Sequence, residues 1–239
     1  MGEKIKRLFY SSFEKGNTIL NGITDKKTER LLLLLKNETE NFFTVSKFKE
    51  SIIIQELGEI TLPTGKIVAC DPLVCPEELP FNKQVKAGSY PVTLYIHCID
   101  DDKRVGFAKL SFSDKLPSRF ELAVNEEQDL TNLKEGYFFG YGVDSGTGCF
   151  MDEAAAKKVA ELMDSAEDYN IPELEDELEK TYIDTYCTAN FKIPETELDL
   201  AAFSSGFGDG AYPTYWGFDE EDNICCLITD FETVDYNLD

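Results

Sequence analysis

Between residues 90 and 97 the chain alternates strictly. Tyr90, Val92, Leu94 and Ile96 fall on one face, and Thr93, Tyr95 and His97 on the other. A period of two marks a strand whose faces meet different surroundings. Residues 104–112 repeat the pattern after the turn Asp100-Asp101-Asp102, and residues 119–125 repeat it again. These three segments read as an antiparallel meander with short acidic turns. Earlier strand material lies at 52–54, 58–62 and 66–70, interrupted by the tight turn Thr64-Gly65 and closed by Asp71-Pro72. Residues 223–231 form a last strand.

The period changes at Asp152, a good N-cap for a helix over 153–164 supported by Ala154, Ala155, Ala156 and Val159. A second helix is expected within 165–185, starting after Pro172, with Leu174, Leu178 and Tyr182 at i, i+4 and i+8 and acids on most other positions. Two short helices are expected at 3–14 and 25–43, the latter carrying a stripe of Leu31, Leu32, Leu34 and Leu35. The pattern predicts an α+β fold: a largely antiparallel β-sheet with helices packed on one side and a helical N-terminal cap. Residues 1–50 are that cap, and residues 51–239 a single α+β domain.

Composition narrows the functional classes. With 239 residues and 42% hydrophobic content, the chain can bury one sizeable core. Its longest leucine run, 31–35, is flanked by Arg30 and Lys36 and is far too short to span a bilayer. The basic start lacks the apolar stretch of a secretory signal, and Lys6 stands where myristoylation wants Ser or Thr. A cytoplasmic location without membrane association is the expectation. The seven cysteines include no C-x-x-C pair and read as buried free thiols. Zinc is disfavoured, because His97 is the sole histidine. The net charge is −23, unevenly spread: residues 1–50 hold ten Lys and Arg against seven Asp and Glu, and the rest hold thirteen against thirty-nine. A body at −26 repels nucleic acid and anionic membrane, and attracts cationic partners.

Three glycine-and-aspartate runs stand out: 62–72 (LPTGKIVACDP), 143–152 (VDSGTGCFMD) and 204–219 (SSGFGDGAYPTYWGFD). They suggest three turns sharing one surface, with four glycines framing Asp209. Asp71, Asp144, Asp152 and Asp209, with Asp230 as a further candidate, could converge on a hard cation, because such ions want clustered oxygen ligands. Tyr212, Tyr215 and Trp216 would then wall a pocket for a small molecule, and hydrolysis would be the reaction class. The competing reading gives each aspartate to the backbone N–H groups of its own turn, so no metal or cofactor is assigned. Cys149, just before a helix N-terminus, is a candidate thiol nucleophile; its only possible imidazole base is His97. Neither Gly65-Lys66 nor the alternate glycines 206, 208 and 210 sit in the context of a phosphate-binding loop.

The ordered set 62–72, 88–92 (GSYPV), 104–114 (RVGFAKLSFSD), 140–152, 205–219 and 229–231 (TDF) resembles the bacterial family of domain of unknown function 4241. The resemblance covers roughly residues 55–235 and implies a soluble bacterial protein, with no catalytic residues to carry over. The charge and the lack of a base–nucleophile pair favour a non-enzymatic binding module, comparable to an immunity protein or antitoxin, that engages a basic protein partner. The carboxylate-lined metal or small-molecule site with hydrolase-type activity is the alternative.

Overall fold

The computed structural model describes Leu31 and residues 51–133, 137–183 and 185–233. In chain order these residues form β1 (Ser51–Leu62), β2 (Ile67–Cys70), β3 (Gly88–Ile99), β4 (Asp102–Ser111), β5 (Arg119–Leu122), β6 (Tyr141–Val143) and β7 (Thr147–Asp152). Helices α1 (Glu153–Ser165) and α2 (Pro172–Thr181) follow, then β8 (Thr188–Lys192), β9 (Asp199–Ser204), β10 (Gly210–Tyr212), β11 (Thr214–Phe218) and β12 (Ile224–Asp230). Every strand pair is antiparallel. The strands make a six-stranded sheet ordered β1-β3-β4-β12-β11-β5, a four-stranded sheet ordered β2-β7-β9-β8, and a small pair β10-β6.

Alternation decides which side chain enters which layer. Ile67 and Ala69 of β2, Phe150 of β7, and Ala201 and Phe203 of β9 face the six-stranded sheet. There they meet Val92, Leu94 and Ile96 of β3, Leu110 of β4, and Trp216 and Leu227. The intervening residues Val68, Cys70, Cys149, Met151, Leu200 and Ala202 point the other way, onto Ala155, Val159 and Met163 of α1 and Leu174 and Leu178 of α2. The four-stranded sheet is thus apolar on both faces, as a middle layer must be. The helices cover one side of the β-structure, as the pattern predicts. On the outer face of the six-stranded sheet, Leu31 is helical and buried beside Ile52, Tyr95, Phe107 and Ile228. The expected helices at 3–14 and 25–43, apart from this residue, lie outside the described residues.

Free strand edges invite unwanted pairing, and two of them are covered by other elements. The Asn190 side chain on β8 donates to the β1 carbonyls of Leu57 (3.3 Å) and Glu59 (2.9 Å), and Asp199 accepts from the Thr61 amide at 2.6 Å. On β2, the amide of Phe81 donates to the carbonyl of Ile67 at 2.8 Å.

The structure differs from the sequence pattern in two elements. β3 and β4 pair across the two-residue turn Asp100-Asp101, but β5 is not the next strand. β12 and β11 stand between β4 and β5, so the expected three-strand meander stops after two. The second helix ends at Thr181, and Tyr182 at its C-cap turns into solvent instead of extending the Leu174–Leu178 stripe.

Phe203 is fully buried between Phe150 (5.3 Å between ring centroids) and Phe231 (5.9 Å). Phe203→Ala will lower unfolding stability by about 3–5 kcal/mol, the usual cost of emptying such a site. Urea denaturation followed by fluorescence of Trp216, buried in the same core, measures it.

Candidate functional site: the surface of the glycine loop

The second and third glycine-and-aspartate turns meet, and a buried carboxylate from the first run fastens the second. Asp71 follows the last residue of β2 and is 1% exposed. One of its oxygens accepts from the amides of Asp144 (2.9 Å) and Ser145 (2.7 Å), and the other from the Leu73 amide (3.0 Å) and the Ser145 hydroxyl (2.8 Å). An ionised carboxylate out of water is tolerable only when so fully satisfied. The turn between β6 and β7 is therefore fastened to the end of β2. Its Gly146 carbonyl in turn accepts from the Ser205 amide at 3.0 Å, at the root of the third run.

From Ser205 to Gly208 the chain makes a closed loop. The Gly208 amide donates to the Ser205 carbonyl (2.8 Å), and the Ser205 hydroxyl to the Gly208 carbonyl (2.9 Å). The Tyr212 hydroxyl donates to both carbonyls, at 2.7 Å to Gly208 and 3.1 Å to Ser205. Gly206 (φ +57°) and Gly208 (φ +108°) take backbone conformations that side chains resist. A Cβ on Gly206 would also come within 2.9 Å of the Phe231 carbonyl oxygen. Between these two glycines the loop holds Phe207 outward, 61% exposed.

One face of the Phe207 ring lies against Arg104 of β4, whose guanidinium carbon is 5.4 Å from the ring centroid, within cation–π range. The Arg104 Nε is itself engaged by Asp102 at 2.9 Å. Asp209 and Asp144, from the two joined turns, are both exposed. The site is an aromatic on a braced loop among carboxylates.

Asp152 lies elsewhere. It is fully buried at the far end of β7, about 13 Å of strand from the Asp71 end. There it caps α1 through the Ala154 amide (2.9 Å) and holds the turn after β1 through the amides of Thr64 (3.0 Å) and Gly65 (3.1 Å) and the Thr64 hydroxyl (2.9 Å). Asp230 accepts from the Glu232 amide at 2.8 Å. Among the described residues, no three acids, cysteines or histidines are grouped to hold a metal ion. The aromatics also part company. Trp216 points into the sandwich core, Tyr215 onto the outer sheet face, and Tyr212 braces the glycine loop. A cavity lined in part by Ala69, Asn125, Tyr141 and Thr214 measures about 20 Å³, room for one water.

Cys149 is buried on the helix side of the middle sheet, its sulfur 3.6 Å from that of Cys70. Burial, followed by contact with Cys149, pushes the Cys70 thiol up. His97 belongs to the other sheet, with its Nδ1 3.1 Å from the Thr233 hydroxyl. The sandwich core separates thiol from imidazole, so the two do not form a nucleophile–base pair.

Phe207 is a candidate site residue that the sequence pattern does not mark as one. The available signal was a large apolar residue between two glycines, where flanking positive φ values turn it away from the core.

Burial, reinforced by the Glu232 carboxylate, pushes the Tyr212 hydroxyl up to about 12 from 10.0. A raised phenol stabilises the fold in full below its unfolded pKa and loses that contribution as pH climbs toward the folded one. The brace will therefore weaken between pH 10 and 12. Tyr212→Phe will be less stable than wild type by about 1–2 kcal/mol at neutral pH. The gap will close across the alkaline window, as urea denaturation at stepped pH will show.

The motif residues that build this surface fall within residues 60–229, over which the sequence profile of a family described as a protein of unknown function (DUF4241) matches the chain. No curated protein and no solved structure matches it. With the profile spanning well over half of the 239 residues, the chain belongs to the DUF4241 family.

Proposed function

We propose that this protein is a non-enzymatic binding module of the bacterial cytoplasm, comparable to an immunity protein or antitoxin, that engages a basic protein partner. The observation that carries the reading is Phe207, held 61% exposed on a braced loop, with the exposed Asp209 two residues on and the exposed Asp144 in the turn bonded to the loop's root. Leaving a phenylalanine in water forfeits about 1.5–3 kcal/mol of burial, and a loop built to hold it there has a use for it. The body's −26 charge selects cationic partners and disfavours nucleic acid and anionic membranes. Among the described residues no helix is long and apolar enough to cross a membrane. In this reading residues 1–50, at +3, form a cap on the single domain at 51–239. The burial of Leu31 on the outer sheet face supports that arrangement.

The hydrolase alternative needs free carboxylate oxygens. Asp71 and Asp152 commit theirs to backbone and hydroxyl donors, and Asp144 and Asp209 stand in solvent.

Affinity capture from the source cell at low salt, followed by titration of the purified partner, tests the proposal. The expected result is a protein of high isoelectric point whose affinity falls at least tenfold as ionic strength rises past physiological, where surface charges are screened. Millimolar Mg²⁺, Ca²⁺ or Mn²⁺ will leave the melting temperature unchanged. A partner of acidic charge, or salt-indifferent binding, would overturn the binding module. A cation-dependent rise in melting temperature lost in Asp209→Asn would restore the metal site, since only binding to the native state produces it.

A further inference from the structure

Phe207 is not alone. The described residues leave three large apolar side chains more than half exposed: Phe207 (61%), Tyr182 (60%) and Ile183 (58%). They come from segments 24 residues apart in sequence, yet a short series of contacts ties them together. Phe207 rests on Arg104, and Arg104 is held by Asp102. Asp102 also accepts from the Thr185 hydroxyl, which donates to the Lys103 carbonyl as well and accepts from the Lys103 amide at 3.2 Å. Thr185 lies within the turn closed by Ile183 and Tyr186, which exchange backbone hydrogen bonds at 3.0 and 3.2 Å. The tip of the β3–β4 hairpin is thus a hub, with the glycine loop on one side and the 182–186 turn on the other.

The hub is acidic. Its two-residue turn is Asp100-Asp101, both exposed, with Asp100 at φ +53°, a conformation that aspartate tolerates. Asp102 follows the turn, Asp209 follows the glycine loop, and Asp144 lies in the β6–β7 turn bonded to that loop's root. The nearby cations, Lys103 and Arg104, offset only part of this, because five acids stand against two bases. Apolar points surrounded by one sign of charge have the anatomy of an interface core with a charged rim.

We infer that Phe207, Ile183 and Tyr182, joined through the β3–β4 turn and rimmed by Asp100, Asp101, Asp144 and Asp209, form one docking face for a basic protein whose contact element carries apolar residues flanked by Lys or Arg. The inference rests on the binding-module reading and assigns its surface. One flank of a standard interface covers about 800 Å², ample for three side chains linked by four contacts. The partner's apolar residues bury Phe207 and Ile183, and its cations meet the aspartates, which steer encounter and fix orientation.

A rival surface exists and makes the test decisive. Tyr169, 45% exposed beside Glu77 and Asp164, is a second aromatic among acids. The photo-cross-linking residue benzoylphenylalanine is placed at 207, 183 or 169 and illuminated in the source cell, and the trapped protein is purified and titrated. The expected result is one basic protein trapped from 207 and from 183 and not from 169. Phe207→Ala and Ile183→Ser will each weaken its binding about tenfold or more, as central apolar contacts do. Tyr169→Ala will leave affinity unchanged, and all three variants will melt close to wild type because the side chains are exposed. A basic protein trapped only from 169, with the affinity loss confined to Tyr169→Ala, would overturn this face and leave the binding module standing. Trapping from neither 207 nor 183 would also overturn the face. A trapped protein that is acidic, or whose affinity ignores salt, would overturn both.

Discussion

The carboxylate of Asp71 is the fastening on which the candidate surface depends. A buried anion must be hydrogen-bonded to be tolerated, and Asp71 meets that requirement by drawing in the amides of Asp144 and Ser145. That fixes the β6–β7 turn. The turn's Gly146 carbonyl holds Ser205, Ser205 and Tyr212 close the glycine loop, and the loop sets the direction of Phe207. Asp152 does the same at the other end of β7, binding the N-terminus of α1 to the turn after β1. Of the aspartates that look like ligands in the sequence, Asp71 and Asp152 are fasteners in the fold. What Asp71 positions, through the β6–β7 turn, is an aromatic side chain.

In the proposed binding module, stability and recognition are served by separate parts of the molecule. The sandwich core and the helix layer are closed and apolar, and the buried carboxylates are internally satisfied. On the proposed docking face the exposed Asp100, Asp101, Asp144 and Asp209 are the groups that would meet a partner's charge. Placing an aromatic on a loop that is already ordered limits the conformational entropy lost on association, which favours affinity without a large contact area.

Much of this was legible in the sequence, for physical reasons specific to each element. Alternation at 90–97 placed Leu94 inward and Tyr95 outward, because a strand between unlike layers must alternate. Asp152 was readable as a cap because the orphan amides of a helix start want an acceptor there. The convergence of the glycine-and-aspartate runs holds for the second and third, and for the first through Asp71 but not Thr64-Gly65. Strand order was not legible: the insertion of β11 and β12 between β4 and β5 is a long-range pairing that local pattern does not encode. Tyr182 kept the helical spacing but fell one residue past the helix end. Asp209 read as an acid enclosed by glycines, yet residues without side chains open a loop to solvent as readily as they enclose a site. Phe207 was not legible, because an apolar side chain belongs by default to the core and only its two positive-φ neighbours turn it outward.

Amide hydrogen exchange at Asp144, Ser145 and Gly208, compared between wild type and Asp71→Ala, tests most directly whether Asp71 braces the surface that carries Phe207. The account predicts slow exchange at all three amides in wild type. In the variant it predicts fast exchange that spreads from the β6–β7 turn to Gly208, while β3 and β4 stay protected. Equal exchange at Gly208 in both proteins would mean that the glycine loop stands without Asp71, and would contradict the account.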